Sequence, residues 1–333
     1  MRPSCLRTLV WWGLMIVFVG CHGESARDSQ GHGPPSGKPV PPFDGQAAMA
    51  QLRKQVELGP RVPGQPGHQQ ARDYFLQTLR RYADEVVAQD FSFTTRQGQT
   101  LSLTNILARF RGNSNHTVLV GAHWDTRPIA ERDPEPANRG KPIDGANDGA
   151  SGVAVLLEMA RAMASSPPPV NVVLALFDAE DLGNTPYARD YSLGARYFAR
   201  NMGNWRPDEA IVIDMIGDAH LHLYHETHSL RAAPDLTDRV FDAAADLGYG
   251  GIFRARLPSS FGGEVIDDHL PLIEAGVPAI DLIDFEYPDP PHPGEFWHTS
   301  QDTVDKCSAL SLQAVGEVLL EVIYRRSGSA GGP

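Results

Sequence analysis

Short continuous apolar segments constrain the fold of this chain more than any other feature of its sequence. Several consist almost wholly of aliphatic residues, as expected of strands that are covered on both faces of a sheet. The predicted strands are residues 86–93, 103–110, 117–121, 170–177, 210–215 and 279–283. Each is too short for a membrane span and has the length of a buried strand.

Stretches with apolar residues at spacings of three and four alternate with these strands, which indicates helices. The predicted helices are two within residues 46–84, followed by 151–163, 231–247 and 310–323. The alternation predicts an α/β fold in a single domain, with a central mixed, largely parallel β-sheet flanked by helices.

The N-terminal residues have the plan of an export signal. Arg2 and Arg7 precede an apolar run over residues 9–19, which is followed by Gly20 and Cys21. We therefore assign residues 1–20 to a signal peptide. Residues 21–45, rich in Gly, Pro and Ser, form a predicted flexible tether, residues 46–326 the catalytic domain, and residues 327–333 a flexible tail.

Residues 18–21 resemble a bacterial lipobox, in which the cysteine becomes the lipidated first residue of the mature protein. The protein is thus expected to be exported to the periplasm or the cell exterior, anchored to the membrane only through lipid on Cys21. A plain cleaved signal and an uncleaved membrane anchor are the alternatives. The apolar run is shorter than the ~20 residues that span a bilayer comfortably.

Charge and cysteine content exclude two further classes. A net charge of −12 and a pI near 5.4 argue against a nucleic-acid partner, because phosphate binding needs clustered Lys and Arg. Of the three cysteines only Cys307 lies in the predicted domain, which rules out both a disulfide framework and cysteine ligation of a metal.

We expect the domain to act as a monomer.

Polar clusters stand where the predicted strands end, and in open α/β sheets ligands bind at the carboxyl ends of strands. The clusters are His123 to Asp125, Asp178 to Asp181, Asp214, and Asp281 with Asp284. A fifth, residues 144–152, joins glycines to Asp148 just before a helix. Any one of these is more often a cap or a turn than a ligand.

Together, however, histidines and carboxylates at the ends of several strands match the donors that zinc takes in proteins. Glu180 and Asp181 are the most informative pair. Adjacent carboxylates at a strand end point in different directions, so one can bind metal while the other acts as a base.

The sequence resembles the M28 family of zinc aminopeptidases and, more closely, the glutaminyl-peptide cyclotransferases that share its zinc-exopeptidase-like fold. The resemblance runs from residues 59–64 through Asn105 and Ile106 and the His123 cluster to residues 296–299. It therefore covers nearly all of the predicted domain.

Carried over by position, the resemblance implies one or two zinc ions. The full set of metal ligands would be His123, Asp148, Asp181, Asp214 and His298, with Asp148 bridging two metals. In the cyclases only Asp148, Asp181 and His298 hold the working zinc. Glu180 would be the general base. Asp125, which would not bind the metal itself, would orient the ring of His123.

Residues 261–271 resemble the segment that lines the cyclase pocket, which makes Asp267 and Asp268 candidate neighbours of the substrate. The triplet from Trp297 to Thr299 is also similar to that of the cyclases in place and type, which adds Trp297 to these candidates. Two positions depart from the family pattern. Asp181 stands where the family usually has Glu, and Asp281, a further candidate near the substrate, stands where the animal cyclases have His.

The resemblance implies a glutaminyl-peptide cyclotransferase, which converts an N-terminal glutamine of a peptide or protein to pyroglutamate and releases ammonia. The alternative is an M28-type aminopeptidase, in which the same base activates water against the first peptide bond. A nonenzymatic binding domain would require the loss of an essential position, and none is lost. We do not expect a further metal site at His220, His222, His225 and His228, which lack a matching carboxylate pattern.

Overall fold

The computed structural model describes residues 39–183, 190–254, 264–289 and 293–326. The predicted signal peptide, Cys21, most of the tether and the tail lie outside the described residues, as do residues 261–263 of the cyclase-like segment. Among the described residues, no helix combines the length and apolar character needed to cross a bilayer.

All six predicted strands are confirmed, and two short strands join them. The strands are β1 (Glu85–Thr94), β2 (Thr100–Phe110), β3 (Thr117–His123), β4 (Asn171–Phe177), β5 (Glu209–Asp214), β6 (Leu223–Tyr224), β7 (Phe253–Arg254) and β8 (Ala279–Ile283). Six of them form one sheet in the order β1-β2-β4-β3-β5-β8, and β6 pairs with β7. Strands β4, β3, β5 and β8 run parallel, whereas β2 is antiparallel to both β1 and β4.

The helices of the described chain cover both faces of this sheet. They are α1 (Gly45–Glu57), α2 (Pro66–Leu79), α3 (Ala150–Ser165), α4 (Leu193–Arg200), α5 (Thr227–Ala232), α6 (Pro234–Asp246), α7 (His269–Glu274) and α8 (Ala309–Glu321). The mixed, largely parallel α/β fold predicted from the sequence is therefore confirmed.

The prediction of one helix over residues 231–247 was wrong in one respect, because the structure has two helices there. Ala233 has φ −147° and ψ 61°, which is not helical, and it separates α5 from α6. Pro234 explains the break, since it disfavours the helical conformation in the residue before it. Pro234 itself fits the first turn of α6, where no amide hydrogen is needed. Helices α4 and α7 were not predicted, and each spans eight residues or fewer.

Successive side chains of the central strands enter two separate cores, as the pleat of a strand requires. Val118 and Val120 of β3 belong to the large core that α1, α3 and α8 cover, whereas Leu119 belongs to the smaller core under α4 and α7. All three are fully buried. This two-sided burial explains why the strands are continuous apolar runs.

The parallel strands bring their carboxyl ends to a single edge of the sheet. Strand β3 ends at His123, β5 ends at Asp214, and β4 runs directly into Asp178. Because chemically active side chains follow the apolar parts of these strands, this edge is where the predicted site residues can meet.

Candidate metal centre

Three predicted ligands meet where β3 and β5 end. His123 Nε2 lies 3.1 Å from Asp148 Oδ1 and 3.1 Å from Asp214 Oδ1. Asp148 comes from the loop that leads into α3, so three separate segments contribute one donor each. The donor atoms of the three residues all lie within 4.8 Å of one another, a spacing that allows a common metal ion.

A second group shares Asp148 with the first. His298 Nε2 lies 3.3 Å from Asp181 Oδ1 and 3.8 Å from Asp148 Oδ2. The two carboxylate oxygens of Asp148 thus face different histidines. The structure brings all five predicted ligands together, and Asp148 belongs to both groups of candidate donors.

The residues of this centre fit zinc. Its donors are imidazole nitrogens and carboxylate oxygens, and Asp181 Oδ2 is buried without a hydrogen-bond partner among the described residues. Burial lowers the pKa of His298, but Asp181 and Glu131 outweigh it and raise that pKa to about 9. The surrounding carboxylates therefore favour positive charge at this position.

Asp125 connects the first histidine to the loop that carries Glu180. One of its oxygens lies 3.4 Å from His123 Nδ1. Its carboxylate also accepts hydrogen bonds from the backbone N–H of Glu180, at 3.0 Å, and of Asp181, at 3.2 Å. The predicted orienting residue is thus placed beside His123 and fixes the turn after β4 as well.

Glu180 lies at the wall of a cavity next to these donors. It is half-buried, and Ser192 Oγ donates a hydrogen bond to its Oε1 at 3.3 Å. Burial, followed by the neighbouring charges of Asp181 and Asp267, raises the pKa of Glu180 well above its usual range. A carboxylate in this position can accept and return a proton.

Strained backbone surrounds the centre. Ala179, Met215 and His298 have φ values of 57°, 47° and 56°, in the left-handed region that non-glycine residues rarely adopt. Each lies within one residue of a predicted ligand or base, or is one. Such conformations cost on the order of 1–3 kcal/mol each, and they persist where the surrounding structure fixes them for function.

Glu131 and Arg127 support the second group, and sequence reasoning missed both. His298 Nδ1 lies 2.7 Å from Glu131 Oε1, and Arg127 donates to both oxygens of Glu131. Arg127 also donates to the backbone oxygen of Asp181 at 2.9 Å. Partial burial works against ionisation, but the hydrogen bonds from His298 and Arg127 prevail and lower the pKa of Glu131 to about 2. No sequence motif marks this contact, because Glu131 and His298 are far apart in the chain.

Asp302 fixes the loop that presents Asp148, and it was also missed. Its carboxylate accepts hydrogen bonds from the backbone N–H of Asn147, at 2.8 Å, and of Asp148, at 3.1 Å. Tyr287 donates its hydroxyl to the same carboxylate at 2.9 Å. The buried Arg61 guanidinium holds the start of the loop through the backbone oxygens of Asp144 and Gly145.

The cavity beside the centre has a volume of about 340 Å³ and is lined by both acidic and apolar side chains. Its acidic lining consists of Asp148, Glu180, Asp181, Asp214, Glu264 and Asp267. Its other lining residues are Tyr191, Val265, Ile266, Ile283, Phe285, Trp297 and His298. Trp297 stacks on the His298 ring, with ring centroids 3.7 Å apart.

Two of the four predicted substrate neighbours line this cavity, namely Asp267 and Trp297. Asp268 and Asp281 do not line it and are buried instead. Asp178 and Asp284 have structural contacts: Asp178 accepts from the backbone N–H of Thr104, and Asp284 accepts from two backbone N–H groups.

None of the four histidines between residues 220 and 228 belongs to the three donor groups found among the described residues. His220 has a side chain that is 66% exposed, and neither it nor His222 lies on a strand.

A buried histidine and carboxylate centre at the carboxyl ends of parallel strands defines a metal-dependent enzyme of the α/β class. The chain belongs to peptidase family M28, whose model matches residues 105–323. The family and its Zn-dependent exopeptidases imply zinc as the metal.

The proteins that are similar to this chain are named either as zinc exopeptidases or as glutaminyl cyclases. A Zn-dependent exopeptidase from Parabacteroides distasonis is 36% identical, with a TM-score of 0.81 over 86% of this chain and 100% of that one. The glutaminyl cyclase of Bacteroides thetaiotaomicron, solved with N-acetylhistamine, is 34% identical, with a TM-score of 0.80 over 86% of this chain and 100% of that one. Glutaminyl-peptide cyclotransferase from Bos taurus is 24% identical over 297 residues, covering 78% of this chain and 76% of its own.

Replacing Glu131 should weaken zinc binding without removing a ligand. In Glu131→Gln the charge that fixes the His298 ring is lost, and we expect zinc affinity to fall roughly 10–100-fold, as is usual for residues that orient metal-binding histidines. Competition with a chromophoric chelator measures this affinity. Glu135→Gln, at an exposed acid in the same loop, is the matched control and should bind zinc as tightly as the original chain. Equal affinities for all three proteins would contradict the role of Glu131.

Proposed function

We propose that this chain is a zinc-dependent glutaminyl-peptide cyclotransferase, an acyltransferase that converts the N-terminal glutamine of peptides or proteins to pyroglutamate. The observation that carries the proposal is the apolar and aromatic wall formed by residues that line the same cavity as the acidic donors. Such a wall can cover the aliphatic part of a glutamine side chain and keep water from the reacting carbonyl, as ring closure requires. The similarity to solved glutaminyl cyclases supports the same function.

The reaction joins two groups of one substrate. The α-amine of the glutamine attacks the carbon of its γ-amide, a C–N bond closes the ring, and the C–N bond to the amide nitrogen breaks to release ammonia. Because attack is intramolecular, holding the substrate in the right geometry supplies much of the rate. Trp297 and Phe285, which lie with ring centroids 5.2 Å apart, would pack against the folded side chain of the glutamine.

Glu180 would act as the general base and then as the general acid. Its carboxylate would take a proton from the attacking amine and deliver it to the leaving nitrogen, which therefore departs as neutral ammonia. Asp148, Asp181 and His298 would hold zinc, which supplies a Lewis acid that polarises the γ-carbonyl oxygen. Asp125 would keep the Glu180 turn in place through its two backbone hydrogen bonds.

The sequence also supports the proposal that this reaction takes place outside the cytoplasm. The export signal predicted at residues 1–20 and the lipobox-like Cys21 would deliver the enzyme to the periplasm or cell surface. Peptide and protein N-termini in that compartment are then its substrates.

One observation favours a second function, an M28-type aminopeptidase. The His123, Asp148 and Asp214 group is complete, so the chain retains donors for a second metal ion that a one-zinc cyclase does not need. With two ions bound, Glu180 would activate water for attack on the first peptide bond. The similar Zn-dependent exopeptidase agrees with this alternative.

Mass spectrometry of a glutamine-initiated peptide separates the two functions. We expect incubation with the zinc-loaded chain to remove one ammonia and retain every residue, and we expect a chelator to abolish the change. A peptide of the same sequence with alanine first is the control and should remain intact. Release of free N-terminal glutamine or alanine would identify an aminopeptidase, and unchanged peptides would contradict both functions.

Replacing the proposed base should separate metal binding from catalysis. Glu180→Gln keeps the size of the side chain but cannot take a proton, so we expect unchanged zinc content and a kcat about 10²–10⁴-fold lower. Zinc content is measured by elemental mass spectrometry and kcat by ammonia release. Glu295→Gln, at an exposed acid near His298, should keep its kcat. Near-normal turnover by Glu180→Gln would remove Glu180 from the mechanism.

A further inference from the structure

A third group of donor side chains adjoins the pocket, which one of its members, Asp267, lines. Asp267 precedes α7, His269 is the first residue of α7, and Asp281 lies within β8. Their donor atoms all lie within 4.8 Å of one another, as in the two groups of the main centre. The composition is also the same as that of Asp148, Asp181 and His298, namely two aspartates and one histidine.

These side chains are buried, and most of their polar atoms have no hydrogen-bond partner among the described residues; the exception is Asp267 Oδ1, which accepts from the backbone N–H of Asp268. Asp267, His269 and Asp281 are 3%, 0% and 2% exposed. Among the described residues, neither ring nitrogen of His269 has a hydrogen-bond partner, and the same holds for both oxygens of Asp281 and for Asp267 Oδ2. Buried polar atoms are normally paired, so a set that converges on one point without partners indicates a missing ligand.

The surroundings of His269 repeat those of His298. His298 has an aspartate oxygen 3.3 Å from Nε2 and the Glu131 carboxylate beside Nδ1. His269 has Asp281 Oδ2 at 3.6 Å from Nδ1 and Glu226 Oε2 at 3.4 Å from Nε2. Two donors bound to one zinc ion at about 2.1 Å in a tetrahedral arrangement lie roughly 3.4 Å apart. A metal-binding histidine usually directs its other nitrogen to a carboxylate.

Glu226 is held in place for this contact. Its carboxylate accepts hydrogen bonds from the backbone N–H of His228, at 2.8 Å, and of Ser229, at 2.7 Å. Ser229 Oγ donates to the same carboxylate and accepts from the backbone N–H of Asp281. The supporting carboxylate and the strand that carries one donor are therefore connected through a single serine.

The negative charge around Asp267, His269 and Asp281 also favours a bound cation. Asp268, next in sequence to Asp267, is fully buried and neither of its oxygens has a partner among the described residues. The carboxyls of Asp267, Asp281 and Glu226 surround the single imidazole of His269, and Asp268 adds a further acidic group beside Asp267. Several carboxylates in a dry interior are stable only with added protons or with a metal ion. The histidine nitrogen between aspartate oxygens suits a metal ion of the zinc type.

We propose that Asp267, His269 and Asp281 form an additional divalent-metal site, of the kind that takes zinc, separate from the centre built on Asp148. An ion there would fix Asp267, which lines the substrate cavity, to β8 and α7. This site does not depend on whether the enzyme cyclises or hydrolyses its substrate.

Metal counting tests the site in solution. The full chain is stripped with a chelator, loaded with excess zinc and desalted, and zinc per chain is measured by elemental mass spectrometry. We expect His269→Gln and Asp281→Asn each to hold one zinc fewer than the original chain. His228→Gln is the matched control, since its ring lies 6.2 Å from the His269 ring without belonging to the group, and it should lose none. Original zinc counts in both site variants would overturn the proposal.

Anomalous diffraction keeps the test decisive if a variant does not fold. Crystals of the zinc-loaded original chain, measured at the zinc absorption edge, should show a peak between Asp267, His269 and Asp281 in addition to density beside Asp148. A map with a peak only beside Asp148 would overturn the site and show that the buried carboxyls carry protons instead. Neither result depends on the activity of the enzyme.

Discussion

The position of the Asp148 carboxylate is the constraint on which the rest of the site depends. Asp302 holds the backbone N–H groups of Asn147 and Asp148, and Tyr287 holds Asp302, so the loop before α3 has little freedom. The two oxygens of Asp148 then face His123 on one side and His298 on the other. If this carboxylate turned away, both groups of donors would lose a member at once.

The sheet explains why the other donors converge on Asp148. Four neighbouring parallel strands end at one edge, and the donors His123 and Asp214 are the last residues of β3 and β5. The segment after β4 supplies Glu180 and Asp181, and β8 contributes Ile283 to the lining of the cavity. Two-sided burial fixes the strands rigidly, because a slip by one residue would exchange the two cores. A rigid sheet can in turn support the strained backbone at Ala179, Met215 and His298.

Much of this could be predicted from the sequence, because the features are local. Continuous apolar runs marked the six strands of the main sheet, and polar residues directly after them marked the edge where the ligands meet. The resemblance to M28 enzymes then identified His298, which follows no strand and has no local signal of its own. The split between α5 and α6 was missed, although Pro234 marks it, because the apolar spacing continues across the break.

The supporting residues could not be predicted, since their contacts join distant segments. Glu131 is 167 positions from His298, and Asp302 is 154 positions from Asp148. No periodicity or short motif records such a pair. The left-handed backbone at Ala179 could not be predicted for a different reason. The fold imposes this conformation, and an alanine in the sequence does not indicate it. Asp281 was placed near the substrate by resemblance alone, whereas the structure places it in the buried group with His269.

Zinc binding by an Asp148→Ala variant tests the shared carboxylate most directly. Titration calorimetry on the metal-free chain resolves each zinc-binding phase, and Asp144→Ala, at an exposed aspartate on the same loop, is the matched control. We expect Asp148→Ala to lose every zinc-binding phase that belongs to the two donor groups sharing Asp148. We expect Asp144→Ala to retain all of the zinc-binding phases. An Asp148→Ala isotherm with the complete set of original phases would contradict the arrangement in which both donor groups depend on this one residue.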